Sequence, residues 1–153
     1  MKYLLPLLAL LIPAAAPAAN GVTLASNVFV ERVKQDPSGK SSTVLEPPRI
    51  VTPGDKLLFE LSYKNGGAEP AADFVVTNPI PDAVAYAGAD GESSAVSVDD
   101  GRTWGALAAL KIKQADGTMR AALPNDVTHV RWTFTRAIAA GEAGKLSFRG
   151  VVK

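Results

Sequence analysis

The chain has 153 residues, with 16 basic and 15 acidic side chains, one histidine and no cysteine. Hydrophobic residues make up 47% of it and charged residues 20%, which excludes a disordered chain, and lysine and arginine form no cluster of the kind found in nucleic-acid binders. The length suits one domain that buries its own core, and without cysteine that core must hold the fold unaided by disulfides.

Residues 1–18 have the pattern of an export signal peptide. Lys2 supplies a positive start, Leu4 to Ile12 form a short apolar run, and Ala16 to Ala18 are small residues typical of a cleavage site. A membrane anchor is the alternative, but a spanning helix needs about 20 apolar residues, and this run is shorter and interrupted by prolines. We predict cleavage after Ala18, with residues 19–153 forming one Ig-like domain that is periplasmic or secreted.

Cleavage would make the mature chain formally neutral, because the full chain carries one net positive charge and Lys2 is lost with the leader. A neutral surface exerts no long-range attraction on nucleic acid or anionic lipid. No later segment is apolar enough to span a bilayer. We therefore expect a protein partner at the cell envelope, no nucleic acid, and no membrane insertion after cleavage.

The first part of the mature chain predicts one strand and then a break. Val28 to Lys34 is short and rich in valine, which favours a strand. Gln35 to Ser42 is polar, and we expect a mobile loop there rather than a domain boundary. Pro47 and Pro48 suit a sheet edge, where a missing amide donor costs no ladder hydrogen bond.

The strongest strand patterns lie at Lys56 to Lys64, Thr128 to Thr135 and Lys145 to Val152. Apolar and polar residues alternate in each, so one face can pack on a core while the other meets solvent. The residues predicted to face the core are Leu57, Phe59, Leu61, Tyr63, Val130, Trp132, Phe134, Leu146, Phe148 and Val152. Leu58 breaks the first pattern, and Gly150 predicts a bulge in the last.

Short segments bounded by turn residues fill the remaining chain, and only Gly105 to Leu110 favours helix. The further predicted strands are Ala72 to Asn78, Val84 to Ala87, Ala95 to Val98 and Leu110 to Lys113. About seven to nine strands without alternating helices indicate an all-β fold, an Ig-like antiparallel β-sandwich.

Residues 50–153 resemble the bacterial conserved-repeat domain known as domain of unknown function 11. The resemblance is carried by the Pro53-Gly54-Asp55 turn, the strand after it, the Asn65-Gly66-Gly67 turn, Val76-Thr77-Asn78-Pro79-Ile80-Pro81, Arg131-Trp132-Thr133-Phe134 and Ile138-Ala139-Ala140-Gly141-Glu142. Asn78, Ile80 and Ala140 depart from the Asp, Leu and Pro that the family usually has. The resemblance implies an Ig-like sandwich in an exported or surface protein with no known catalytic residues, and it leaves function open.

One local motif is more distinctive. Ser97 to Trp104 matches the pattern Ser-x-Asp-x-Gly-x-Thr-Trp of the sialidase Asp box. The pattern predicts a hairpin in which Asp99 accepts hydrogen bonds from turn amides, Gly101 has a positive φ and Trp104 packs beneath the turn. Because the box occurs once, in a chain too short for a propeller, it favours a structural turn over catalysis.

The other candidate residues predict no catalytic, cofactor or metal site. His129 lies on the polar side of its predicted strand, which favours a surface residue over a base or ligand. One histidine without cysteine cannot assemble the usual zinc ligands. Four aspartates could supply oxygen ligands for calcium, although Asp-Gly turns alone explain them: Asp90, Asp99, Asp100 and Asp116. Trp104 and Trp132 could form a sugar-stacking platform, but we expect both to pack in the core.

Together these patterns predict an exported, non-enzymatic Ig-like domain with a structural or protein-binding role at the bacterial cell envelope. One alternative is a small carbohydrate-binding or carbohydrate-active protein that uses the Asp-box hairpin. A second alternative is a component of a pilus or surface layer, in which an exposed edge strand joins a neighbour.

Overall fold

The computed structural model describes residues 21–91 and 93–153, so the predicted leader at residues 1–18 lies outside it. The described residues form ten strands in three antiparallel sheets. The strands are β1 Val22–Gln35, β2 Ser41–Glu46, β3 Lys56–Asn65, β4 Val75–Pro79, β5 Val84–Ala89, β6 Ser94–Ser97, β7 Lys111–Lys113, β8 Met119–Ala121, β9 His129–Thr133 and β10 Ala143–Val152.

Two of the sheets form the layers of a sandwich. The first has five strands in the order β2-β1-β3-β10-β5, the second has three in the order β4-β9-β6, and β7 and β8 form a short separate ribbon. From β3 to β6 each successive strand lies in the opposite layer, as connections between the two sheets of Ig-like domains do. The predicted antiparallel Ig-like β-sandwich is confirmed, with ten strands where about seven to nine were expected.

Period-two alternation placed the core correctly. In β3, Leu57, Phe59 and Leu61 are buried, and in β9 Val130 and Trp132 are buried. Three other predicted core residues keep some exposure and pack against this cluster: Phe134, Leu146 and Val152. Tyr63 also keeps some exposure, and it packs against a smaller buried cluster. The alternation succeeds because each of these strands has one face covered by the opposite sheet.

Leu58 is buried even though it faces away from the core. Its neighbours in register are Phe29 on β1 and Arg149 on β10, and together they leave it 8% exposed. Cross-strand neighbours on the outer face therefore cover an apolar residue that the alternation alone leaves in solvent.

The bulge predicted at Gly150 lies on the partner strand instead. Phe148 faces Ala89 and Gly150 faces Tyr86, so β5 uses one more residue than β10 between the two pairs. Gly88, with φ of 114°, lies in that extra stretch of β5. Gly150 is required for close packing instead, because a Cβ at this position would clash with Cγ1 of Val84.

The first part of the chain departs most from expectation. The segment predicted as a loop, Gln35 to Ser42, contains the end of β1, a tight turn and the start of β2. Asp36 holds the turn, since its Oδ1 accepts hydrogen bonds from the amides of Ser38 at 2.9 Å and Lys40 at 3.0 Å. β2 has no period-two signal because its two apolar residues are adjacent. It is nevertheless an edge strand that ends just before Pro47, as the proline pair predicted.

Helical structure is slight in the part of the chain that the structure describes. The predicted helical segment Gly105 to Leu110 contains only a single 3-10 turn at Leu107–Ala109, and a second such turn lies at Pro124–Asp126. Among these residues no helix is long and apolar enough to cross a membrane.

Candidate functional site at the Asp-box turn

The Asp-box segment leaves β6 at Ser97 and returns beside the same strand. Reciprocal backbone hydrogen bonds of 2.9 and 3.1 Å between Val96 and Gly105 close this hairpin. Gly101 has φ of 84°, as predicted, and Asp100 also has a positive φ of 59°. A left-handed aspartate beside the glycine is tolerated in turns because its short polar side chain can bond locally.

Asp99 is the centre of this turn. Its carboxylate accepts hydrogen bonds from the amides of Arg102 and Thr103 at 3.1 and 2.9 Å and from the Thr103 hydroxyl at 2.7 Å. The Ser97 hydroxyl donates a further bond at 2.8 Å. These donors, led by the Thr103 amide, lower the pKa of Asp99 to about 2. The predicted hydrogen bonds from turn amides to Asp99 are confirmed, and the carboxylate is bonded throughout by residues of its own turn.

Two residues that support the turn had no assigned role in the sequence interpretation. Ser97 is fully buried. Its side-chain oxygen accepts a hydrogen bond from the Gly101 amide at 2.8 Å, and its hydroxyl donates one to Asp99. Thr128 lies just before β9 and accepts the Asp100 amide at 3.1 Å. Ser97 is the first residue of the motif, so the motif contained its signal. Thr128 is 28 residues away from Asp100, and nothing local predicts that contact.

Trp104 is half-buried on the outer face of the three-stranded sheet, outside the core cluster. Its indole N–H donates to the carbonyl of Gly101 at 2.8 Å, so the ring lies beneath the turn as predicted. The guanidinium of Arg131 lies 4.1 Å from the ring centroid, a cation–π contact. The expectation that Trp104 packs in the core is therefore wrong. Its polar neighbour on β9 provides the surface that it packs on.

Trp132 behaves as predicted and contrasts with Trp104. It is 2% exposed and lies tilted against Phe148, with ring centroids 6.3 Å apart. Its indole N–H donates to the carbonyl of Asp90 at 2.8 Å. This bond satisfies the one polar atom of a ring that is otherwise surrounded by apolar side chains.

His129 lies on the polar side of β9, as predicted, but it is half-buried rather than solvated. Its Nδ1 is 3.0 Å from the Thr128 hydroxyl, and its ring meets Trp104 edge-on at 6.4 Å. It lines a polar cleft of about 250 Å³ beside the Asp-box turn, together with Asp82, Asp100, Asn125 and Lys153. The structure bonds the histidine to Thr128, and this contact orients the ring.

The four aspartates considered for calcium lie in three segments of the chain, because Asp99 and Asp100 share the Asp-box turn while Asp90 and Asp116 lie outside it. Asp116 accepts the Thr118 amide at 2.9 Å in the turn between β7 and β8, whereas Asp99 accepts bonds within the Asp-box turn. The carboxylate of Asp90 accepts the Ser147 hydroxyl on the five-stranded sheet. Among residues 21–91 and 93–153, no three His, Cys, Asp or Glu side chains are grouped as a metal site requires.

A second candidate surface lies at the β2 edge of the five-stranded sheet. β1 pairs with β3 only as far as Glu31, whereas residues 32–35 pair with β2 alone. Residues 32–44 therefore form a two-stranded ribbon that extends past the sheet, and we call it the β1–β2 ribbon. Arg32 anchors its base through a bidentate ion pair with Asp55, and the guanidinium lowers the pKa of that carboxyl.

In comparisons with known proteins, no protein-family model matches the chain, and no curated protein or solved structure matches it. The resemblance of residues 50–153 to domain of unknown function 11 stays a prediction. What the protein does must therefore be inferred from the Asp-box turn and the β1–β2 ribbon themselves.

Proposed function

We propose that the chain is an exported, non-enzymatic Ig-like domain with a structural or protein-binding role at the bacterial cell envelope. The observation that carries this proposal is the exposed apolar surface of the β1–β2 ribbon and its base. Val33 is 72% exposed and Leu45 is 48% exposed. The register of β1 and β2 places them diagonally on one face of the ribbon. Apolar side chains grouped on a free surface are typical of protein contacts.

The Asp-box turn supports the non-enzymatic part of the proposal. A catalytic carboxylate must be free to take or give a proton near the working pH. Asp99 instead has its pKa lowered to about 2 and accepts bonds from Ser97, Arg102 and Thr103. A carboxylate with these hydrogen bonds and this pKa stabilises its turn and is unsuited to general acid–base chemistry.

Export is tested by the mass of the protein recovered from the envelope. When the full chain is expressed in a bacterium, we expect the mature protein to begin at Ala19, or within a residue or two of it. Mass spectrometry of the periplasmic fraction and the medium measures this directly. Protein that retains Met1 in the envelope would contradict cleavage.

Protein binding is tested by site-specific crosslinking in the envelope. We would replace Val33 with a photoreactive phenylalanine analogue and use Met119, which is 56% exposed on β8, as a matched apolar control. Covalent products are expected from position 33 and not from position 119. Equal labelling from both positions, or none from position 33, would overturn a binding role for the apolar face of the ribbon.

Carbohydrate binding is a second candidate, favoured by the placement of Trp104 on the outer face of its sheet. Aromatic rings at a surface can stack on sugars, and Trp104 is only half-buried. The test is the melting temperature of the parent and of Trp104→Ala with soluble glycans. A glycan that raises the parent's melting temperature and leaves the variant unchanged would favour this candidate over the first.

A further inference from the structure

The outer edge of β2 offers a regular row of backbone groups. In the turn that joins β1 to β2, the amide of Asp36 donates to the carbonyl of Lys40 at 3.0 Å. This bond fixes which residues of β2 bond to β1, since the pairs alternate along an antiparallel ladder. Ser42, Val44 and Glu46 therefore bond to β1. Ser41, Thr43 and Leu45 direct their N–H and C=O groups away from it.

The other edges of the two sandwich sheets are each bulged, ended by a proline or short, and β2 is not. β5 contains the bulge at Gly88, and β4 ends at Pro79. β6 has only four residues, and Gly105 bonds to Val96 at its middle. β2 has the sequence Ser-Ser-Thr-Val-Leu-Glu, without the proline or lysine that commonly prevents pairing at an edge, and its one charged residue, Glu46, is the last.

We propose that β2 pairs antiparallel with β2 of a second copy of this chain, about a two-fold axis at Thr43. This inference rests on the protein-binding role proposed above and names the partner. With Thr43 opposite its counterpart and Ser41 opposite Leu45, every outward N–H meets an outward C=O. The joint contains about six backbone hydrogen bonds and joins two five-stranded sheets into one.

The charges at the ends of β2 agree with this register. Pairing about Thr43 places Lys40 of one copy opposite Glu46 of the other, twice by symmetry. Lys40 is exposed. Glu46 forms an ion pair with Lys34 through Oε1, 2.7 Å from the lysine Nζ, which leaves its second carboxylate oxygen for another cation. Exposed ion pairs add little affinity, but they select one register over its neighbours, because a shift of the strands would separate these charges.

The first test compares two Thr→Pro variants by sedimentation over a concentration series. Thr43→Pro removes an amide that points out of the sheet, so the joint loses a donor while the ladder to β1 is kept. Thr77→Pro is the matched control. It lies on the edge strand β4, and its amide also points outward, because the bond from Phe134 N to Phe74 O assigns even residues of β4 to the ladder with β9.

We expect the parent and Thr77→Pro to dimerise, and Thr43→Pro to dimerise at least about tenfold more weakly. Circular dichroism melting establishes that each variant is folded. If Thr43→Pro does not fold, Lys40→Glu replaces it, since that exposed change leaves the β2 backbone intact. A folded parent that stays monomeric throughout the series would overturn the proposal, as would equal association of the parent and the β2 variant.

A charge exchange tests the register itself. Lys40→Glu and Glu46→Lys should each weaken self-association, because like charges then face each other at both ends of the joint. Mixing the two variants should restore it, since each new charge meets its opposite. Failure of the mixture to associate better than either variant alone would contradict the register centred on Thr43.

These results separate this inference from the broader proposal. Crosslinking from position 33 to a product of twice the chain's mass supports pairing between copies. Crosslinking only to a product of another mass, with a monomeric parent, would overturn β2 pairing while the protein-binding role stands. Absence of crosslinking together with dimerisation through β2 would support pairing between copies and would overturn only the contact through the apolar face at Val33.

Discussion

The Asp-box turn and the β1–β2 ribbon are both organised by an aspartate that caps its own turn. Asp99 accepts bonds from the following residues of its hairpin, and Asp36 does the same for Ser38 and Lys40. Their surroundings differ. The Asp-box turn lies on a sheet, encloses the fully buried Ser97 and covers Trp104, whereas the ribbon extends past its sheet and leaves Val33 exposed.

The comparison shows how one local motif serves two purposes. Where the polar groups of a turn bond within the turn and to the sheet beneath it, the segment stabilises the domain. Where a strand leaves alternate backbone groups unpaired at an edge, the segment can bind another strand. The local sequence determines the geometry of each turn. The position of the turn relative to the sheets determines whether the segment stabilises the domain or can bind another strand.

The largest effect is expected within the layer beneath the Asp-box turn. Trp132→Ala should lower the free energy of unfolding by about 3–5 kcal/mol, because it empties a fully buried site against Phe148. Urea denaturation measures the loss. Thr133→Ala, which alters the exposed neighbour on the same strand, should stay within about 0.5 kcal/mol of the parent. Similar midpoints for the two variants would show that the side chains of β9 are assigned to the wrong faces.

The next largest effect is expected at the two aspartates that cap their turns, whose removal should lower stability by different amounts. Asp99→Ala should destabilise the protein more than Asp36→Ala, because it leaves the buried hydroxyl of Ser97 without its acceptor, while water reaches the donors around Asp36. The measurement is the urea midpoint of each variant at neutral pH. An equal or larger loss for Asp36→Ala would contradict the distinction between the turns.

A pH dependence is expected for the effect of Asp99→Ala. The pKa of Asp99 is about 2 in the folded protein, below its ordinary value of 3.8. Its stabilising contribution is therefore complete above about pH 4 and declines as the pH falls toward 2. The difference in midpoint between the parent and Asp99→Ala should shrink over that range. A difference that stayed constant from pH 7 to pH 2 would show that the charge of Asp99 contributes nothing.

A smaller effect tests the covering of Trp104 by Arg131. A double-mutant cycle with Trp104→Ala and Arg131→Ala should give a coupling of about 0.5–1 kcal/mol, as expected for a partly exposed cation–π contact. The free energies of unfolding of the parent and of the three variants provide the cycle. Strict additivity would mean that the guanidinium lies over the ring without stabilising it.

The smallest effect on stability is expected in the ribbon. Val33→Ala should change the free energy of unfolding by no more than about 0.5 kcal/mol, because the side chain is 72% exposed. A loss near that of Trp132→Ala would place Val33 in a core and remove the contrast between the two regions.

Much of the fold could be predicted from residue order because the strongest strands each have one covered face. The alternation in β3 and β9 predicted burial of Leu57, Phe59, Val130 and Trp132, and the structure confirms it. The alternation did not predict burial of Leu58, because Phe29 and Arg149 cover it from strands distant in the chain. β2 was missed since its stability comes from pairing with β1 rather than from its own pattern.

The Asp-box turn was likewise predicted in its local part. The bonds to Asp99, the φ of Gly101 and the position of Trp104 beneath the turn all lie within eight consecutive residues, whose types specify them. The contact with Thr128 and the outer-face position of Trp104 depend on which strand lies beside β6. That neighbour is β9, and residue types within the turn contain no information about it.

By itself the sequence determined the strand-rich composition, the faces of the strong strands and the local geometry of the turns, because these depend on near neighbours and on a period of two. Only the tertiary structure decided the order of strands, the bulge in β5 and the identity of the open edge. The physical reason is that pairing joins residues far apart in the chain. Which backbone groups remain unpaired is known only once every strand has its neighbours.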